Sequence, residues 1–190
     1  MKKMGGKNMN ATIEVLFNRF SCREFTDKMP DDEQLRTIAR AAVASPSGMN
    51  RQPWRVIVIR DQSLIQDMDD SGMRILSEME DKTTYERFMA RGGTLFYHTP
   101  TMFVIPMEPD TELDCGIVSE NIAIAADGMG LNSLICGMAR LPLGGNRGEE
   151  FKKRMNFPEG YEFGMAVLVG YAAAPGKPHE PDMSKVTFVD

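Results

Sequence analysis

Apolar residues recur along this chain either at helical spacing or in short continuous runs. Ile13, Leu16, Phe17 and Phe20 fall at i, i+3, i+4 and i+7, one face of a helix with Asn10 or Thr12 as its cap. Pro30-Asp31-Asp32-Glu33 then opens a second helix with acids in its first turn, and Leu35, Ile38, Ala39, Ala42 and Val43 mark its buried face. Arg55 to Arg60, carrying Val56-Ile57-Val58-Ile59, reads as a strand. A charged, Met-rich helical region follows over residues 64–91, with Met68, Met73, Leu76 and Met79 on its apolar positions. Thr101 to Met107 reads as a second strand, ended by Pro106 and Pro109. Thr111 to Met129 is a helix whose middle is apolar on several sides and is expected to be largely buried, closed by a glycine cap at Gly128-Met129-Gly130. Ser133 to Cys136 is a short extended piece ending at Gly137, and a last helix spans Asn146 to Met155. Phe163 to Tyr171 is apolar on both faces, so it belongs in the middle of a sheet. From Ala172 to Pro181 three prolines and no period predict an extended tail, after which Lys185 to Val189 could add an edge strand.

These elements describe one α+β domain over residues 1–190, with a central mixed or antiparallel sheet flanked by helices, a flexible N-terminus at 1–9 and an extended tail at 172–190. A chain of 190 residues can bury roughly 70% of the surface its unfolded form exposes, so a full core is available. No apolar run approaches the ~20 residues that span a bilayer, and the basic start lacks the apolar stretch of a signal peptide. A cytoplasmic protein without membrane contact is expected. The net charge of −5, with no basic stretch carrying interleaved aromatics, argues against nucleic acid as a partner. Three separated cysteines without a Cys-x-x-Cys pair read as reduced thiols, and two histidines are too few for a histidine metal cluster.

Two polar segments carry candidate chemistry. Ala44-Ser45-Pro46-Ser47-Gly48-Met49-Asn50-Arg51-Gln52-Pro53-Trp54 lies between a helix and a strand, and its prolines hold it in a fixed, non-helical shape. Its hydroxyl and amide groups both donate and accept, which suits a planar heterocycle with alternating carbonyls and ring nitrogens. An ordinary helix-to-strand connector has the same composition. Upstream, Arg19-Phe20-Ser21-Cys22-Arg23 places two guanidiniums and a hydroxyl at the end of the first helix. Such arginines serve a dianion or merely cap the helix. Nothing reads as a catalytic Ser, Cys or carboxylate pair.

Arg-x-Ser-x-Arg followed by Ser-Pro-Ser-x-x-Asn-x-Gln-Pro-Trp resembles the nitroreductase family of FMN-dependent oxidoreductases. The resemblance implies a nitroreductase-like fold and a homodimer with FMN at the subunit interface. Arg19, Phe20 and Ser21 then match the phosphate and ribityl end, and Arg23 the cation beside flavin N1 and O2, where a fixed charge favours reduction. Pro46, Ser47, Gly48 and Asn50 match the loop laid against the ring from the partner subunit. Cys136, Gly137 and Met138 match the segment facing flavin N5, and Lys177 and His179 the basic residues that return to the phosphate. His179 departs from the arginine common there. Gln52, Pro53 and Trp54 are read as structural, with Trp54 a core anchor. The implied activity is electron transfer from NADH or NADPH to a nitroaromatic or quinone by a ping-pong cycle. Rival readings are a flavin-binding storage or redox-sensing protein and a specialised branch such as a reductive dehalogenase.

Overall fold

The structure is a computed structural model and describes residues 10–189, so the expected flexible segment 1–9 lies outside the described residues. At its centre four antiparallel strands run in the order β1-β2-β4-β3: β1 Ile57–Ile59, β2 Thr101–Met107, β3 Asn132–Cys136 and β4 Glu162–Gly170. β2 and β4 form the middle pair in the register Met102↔Leu168, Phe103↔Val167 and Val104↔Ala166. Their side chains alternate between two cores. Met102, Val104, Ala166 and Leu168 enter one, while Phe103, Ile105, Val167 and Val169 enter the other. This is why Phe163 to Tyr171 reads as apolar on both faces.

The helices fall on both sides of the sheet. α1 (Ala11–Asn18), α2 (Asp32–Val43) and α5 (Glu112–Gly128) accompany one another, with α2 and α5 packed on the core that holds Trp54, Leu35, Ile38, Val118 and Ile122. α3 (Gln62–Glu78), α4 (Thr83–Met89), α6 (Arg140–Gly144) and α7 (Gly148–Arg154) cover the opposite core, built on Leu64, Met68, Leu76, Phe96 and Phe151. Local signals set the starts. Asn10 caps Thr12 N at 2.9 Å, and Asp31 and Gln34 form a reciprocal capping box at 2.8 and 3.0 Å. Asp61 caps α3 through Ser63 N and Leu64 N. α5 stops where Gly130 turns left-handed (φ 76°) and Leu131 N returns to Ala126 O at 2.9 Å, a closure that favours glycine. The buried Asp69 carboxylate, pushed up by burial, accepts from Leu95 N, Phe96 N and the Thr94 hydroxyl, tying the chain before β2 to α3.

Several expectations change. Pro106 lies inside β2 instead of ending it, at the register shift beside Ile105, where a missing amide is tolerated. The segment before α7 holds a further short helix, α6, which the breaker-like Leu-Pro-Leu-Gly-Gly sequence conceals. Pro142 is its third residue, where no intrahelical acceptor is needed. Residues 185–189 form no strand: a 3₁₀ turn at Met183–Lys185, capped by Asp182, leads into exposed coil. Val43 is exposed although it was expected on the buried face of α2. α5 is buried along one side only, with Ile117, Ile124 and Ala125 partly open. The apolar face of α1 also stays open, with Ile13, Leu16 and Phe17 at 41%, 43% and 50% exposure. Among the described residues no helix is long and apolar enough to cross a membrane.

The packing of α5 on the sheet at Cys115 depends on Gly164. A Cβ there would lie 2.5 Å from Cys115 Sγ and 2.9 Å from Ile105 O. We expect Gly164→Ala to destabilise the protein by about 1–3 kcal/mol, as overpacking does, lowering Tm by roughly 2–4 °C for each kcal/mol at this chain length. A thermal melt checks this, and an unchanged Tm would show that the contact relaxes freely.

Candidate functional site

The chain leaves helical geometry at Arg19 (φ −57°, ψ 139°) and runs alongside the sheet. Ser21 bridges Ser133 of β3 in parallel, Cys22 N donates to Ser133 O at 2.9 Å, and Thr26 N donates to Tyr171 O at 2.8 Å. The tail emerging from β4 is stitched to the same segment by the Phe25↔Ala172 bridge and by Ala173 N to Glu24 O at 2.9 Å. Residues 19–24 and 174–179 are therefore held side by side despite their separation in sequence.

Between them lies an open cavity of about 500 Å³, lined by Arg19, Phe20, Ser21, Arg23, Lys177 and His179 among others. This volume is ordinary for a small-molecule site. Two guanidiniums, an ammonium, an imidazole and a hydroxyl face it with one acid, Glu24. Such a donor set fits a dianionic phosphate with a polar chain attached. Arg23 Nη1 reaches Ser21 O at 3.4 Å. Gly176 packs on the Phe20 ring so closely that a Cβ would lie 2.0 Å from it, so the tail can approach only as glycine.

The other expected site residues stand apart from this cavity. Cys136 ends β3, the strand that Ser21 bridges, and Gly137 and Met138 follow it; the buried Cys136 is within electrostatic reach of Arg23, but none of the three lines the cavity. Pro46, Ser47, Gly48 and Asn50 do not line it either. Their loop is nonetheless built. Asn121 Nδ2 fixes its root through Ser45 Oγ at 2.8 Å, Ser47 Oγ accepts from Gln52 N at 2.9 Å, and Arg51 pairs with Glu108 at 2.9 Å. Met49, Asn50 and Gln52 sit at φ 51°, 55° and 51°, a costly conformation for side-chain-bearing residues. Met49 is 92% exposed, and among the described residues none beyond its chain neighbours lies within 4 Å of a Cβ built on Gly48. Trp54 is buried in the core, as its structural reading requires.

The sequence reading missed Glu120 and Asp127. Spaced i, i+7 on α5, they share a face that looks towards Arg19, and that spacing was the available signal. Arg19 Nε lies 3.8 Å from Glu120 Oε1. Asp127 accepts from Ser133 Oγ at 3.3 Å, and its pKa is pushed up to about 6, chiefly by burial, against the lowering effects of that hydroxyl and of Arg19. The Cys22 thiol is likewise pushed up by burial, and those of Cys115 and Cys136 to about 11, so none is poised as a thiolate.

A carboxyl with a raised folded pKa favours the fold in its protonated form. Asp127 therefore contributes stability below its ordinary 3.8 and loses that contribution as pH rises through about 6. Denaturant melts of wild type and Asp127→Asn across this range should converge at low pH, with the wild type falling relative to the variant between pH about 4 and 6. Parallel profiles would mean that Asp127 ionises as freely as in the unfolded chain.

The sequence profile described as Nitroreductase family matches residues 16–171. A nitroreductase with bound FMN from Desulfitobacterium hafniense shares 47% identity and superposes with a TM-score of 0.94, covering 96% of this chain and 100% of that one. A protein of Archaeoglobus fulgidus, whose name proposes an NADH dehydrogenase or NAD(P)H nitroreductase, is 26% identical over 86% of both chains. An iodotyrosine deiodinase of Thermotoga neapolitana is 31% identical over 44% of this chain and 42% of its own. With the profile spanning most of its length, the chain belongs to the nitroreductase family.

Proposed function

We propose that the cavity between residues 19–24 and 174–179 holds the phosphate and ribityl parts of FMN, and that the protein is an oxidoreductase passing electrons from NADH or NADPH to an electron-poor organic acceptor such as a nitroaromatic or quinone. The observation that carries this reading is the convergence of Arg19, Ser21, Arg23, Lys177 and His179 on one small cavity from segments 150 residues apart. The 47% identical relative with bound FMN supports the same choice of ligand. When bound, FMN supplies the hydride-accepting ring. The chain's own part is electrostatic and positional. Arg19, Lys177 and His179 neutralise the phosphate, Ser21 hydrogen-bonds the polar chain, and Arg23 holds positive charge beside the position where the ring becomes negative on reduction. Cys136, Gly137 and Met138 present backbone to the ring. Because donor and acceptor need the same exposed face near Gly137, they bind in turn.

The match to an iodotyrosine deiodinase favours a second reading, reductive removal of halide from a halogenated phenol. Halide release measured with an ion-selective electrode separates it from quinone or nitro reduction.

We expect purified protein to show a flavin spectrum and initial-rate lines that are parallel when donor and quinone are varied; protein that stays colourless after reconstitution with FMN overturns the reading. Arg19→Ala should weaken FMN binding roughly 10- to 150-fold, since one charge-assisted hydrogen bond contributes about 1.5–3 kcal/mol. Affinity unchanged by fluorescence titration would return Arg19 to a helix cap paired with Glu120.

The dimer belongs to the same proposal. Among the described residues the loop at Pro46, Ser47, Gly48 and Asn50 is shaped and strained yet faces open space, and nothing covers the apolar face of α1, as expected of surfaces met by a second copy. Arg19→Ala subunits mixed with Gly48→Trp subunits, each inactive alone, should regain part of the activity, because one site of the heterodimer is intact. No recovery after demonstrated subunit exchange places the loop in cis.

A further inference from the structure

A second recess lies between α3 and α6, away from the cavity of Arg19. It encloses about 700 Å³ and is lined by Ser71, Arg74 and Glu78 from α3 and by Arg140 from α6. Arg140 joins it to Gly137: its Nε donates to Gly137 O at 3.2 Å, and its Nη2 lies 3.9 Å from the position of the Cβ that Gly137 lacks. We propose that this recess is an anion subsite for the small molecule that reacts near Gly137, binding an anionic oxygen group, either the carboxylate of an aromatic acceptor or the phosphate of a nicotinamide donor. The proposal rests on the flavin reading only in placing the reacting ring at Gly137.

Three observations carry it. Among the described residues neither Arg74 nor Arg140 has a carboxylate within 4.0 Å, although Glu78 lines the same recess. Arg74 stands four residues before Glu78 on α3, and the two remain apart, cation before acid being the weaker order for a helical pair. The recess thus holds two cations against one acid. Ser71 is the third observation. It is 4% exposed, and its hydroxyl bonds to no protein group among the described residues, although Ser77 and Ser119 on their helices bond back to the carbonyls of Arg74 and Cys115. Fully enclosed side-chain polar atoms among the described residues all have partners, so the Ser71 oxygen must open onto the recess that it lines. A near-buried hydroxyl in one recess with two guanidiniums that no carboxylate engages is a donor set for a carboxylate or phosphate oxygen. Gly145 closes the far wall without a side chain, since a Cβ there would meet Ile75 Cδ1 at 2.7 Å.

The test compares charged with neutral ligands on wild type, Arg74→Gln, Arg140→Gln and Ser71→Ala, with thermal melts to confirm folding. Calorimetry measures benzoate against benzyl alcohol, and kinetics give kcat/KM for 4-nitrobenzoate against 4-nitrobenzyl alcohol and for NADPH against NADH. Each arginine variant should lower the charged-to-neutral ratio about tenfold or more, and Ser71→Ala about two- to tenfold. A fall in the benzoate and nitrobenzoate ratios assigns the site to an acceptor carboxylate, and a fall in the NADPH ratio assigns it to the donor phosphate. Ratios unchanged in both arms overturn the subsite. Wild-type protein that reduces 2-methyl-1,4-naphthoquinone meanwhile keeps the flavin reading. If the wild type holds no FMN, that reading fails by itself, and benzoate calorimetry on the same protein still decides the subsite, with equal affinities in wild type and arginine variants refuting it.

Discussion

Two strands buried on both faces constrain everything else in this molecule. With β2 and β4 paired at the centre, each successive side chain must satisfy a different core, so neither strand can slip by one residue without exchanging the two. Thr101 Oγ1 adds a bond to Val169 O at 2.6 Å, fixing the register at the end from which the tail departs. That fixed exit matters for chemistry. β4 releases the tail beside residues 21–26, which are already bridged to β3, so the positively charged cavity is assembled from two irregular segments pinned to the ends of the sheet.

Electrostatics in the cavity are balanced from behind by α5. Cations crowded at one place repel one another, and a half-buried guanidinium gains from acids that do not compete for its ligand. Glu120 and Asp127 occupy that position behind Arg19. Asp127 carries a raised pKa because it is buried, so part of the counter-charge near Arg19 is itself adjustable in the mildly acidic range.

Much of this was legible in the chain. Period 3.6 located α1, α2 and α5, short continuous apolar and β-branched runs located β1, β2 and β4, and the Arg19 to Arg23 and Lys177 to His179 segments that were singled out do meet. What escaped depended on tertiary context. Pro106 looks like a strand end until the bulge beside it is seen, and Leu141-Pro142-Leu143 looks like a breaker until packing against α3 makes it a turn of helix. Val186 to Val189 has strand-forming residues, but no neighbour in this chain offers them an edge. Arg140 and Ser71 carry no motif at all. Their importance appears only where α6 crosses α3.

The contact between Gly176 and the Phe20 ring makes the cavity a late event in the life of the chain. One wall is made of residues 19–24 and the other of residues 174–179, so a ribosome working at roughly 5–20 residues per second exposes the second wall about 8–30 s after the first. Throughout that interval the arginines are already on display while the groove beside them has only one side. Ligand loading is thereby deferred until all four strands of the sheet have been synthesised, and a nascent chain stalled before Ala174 would own the two arginines without the means to enclose what they attract.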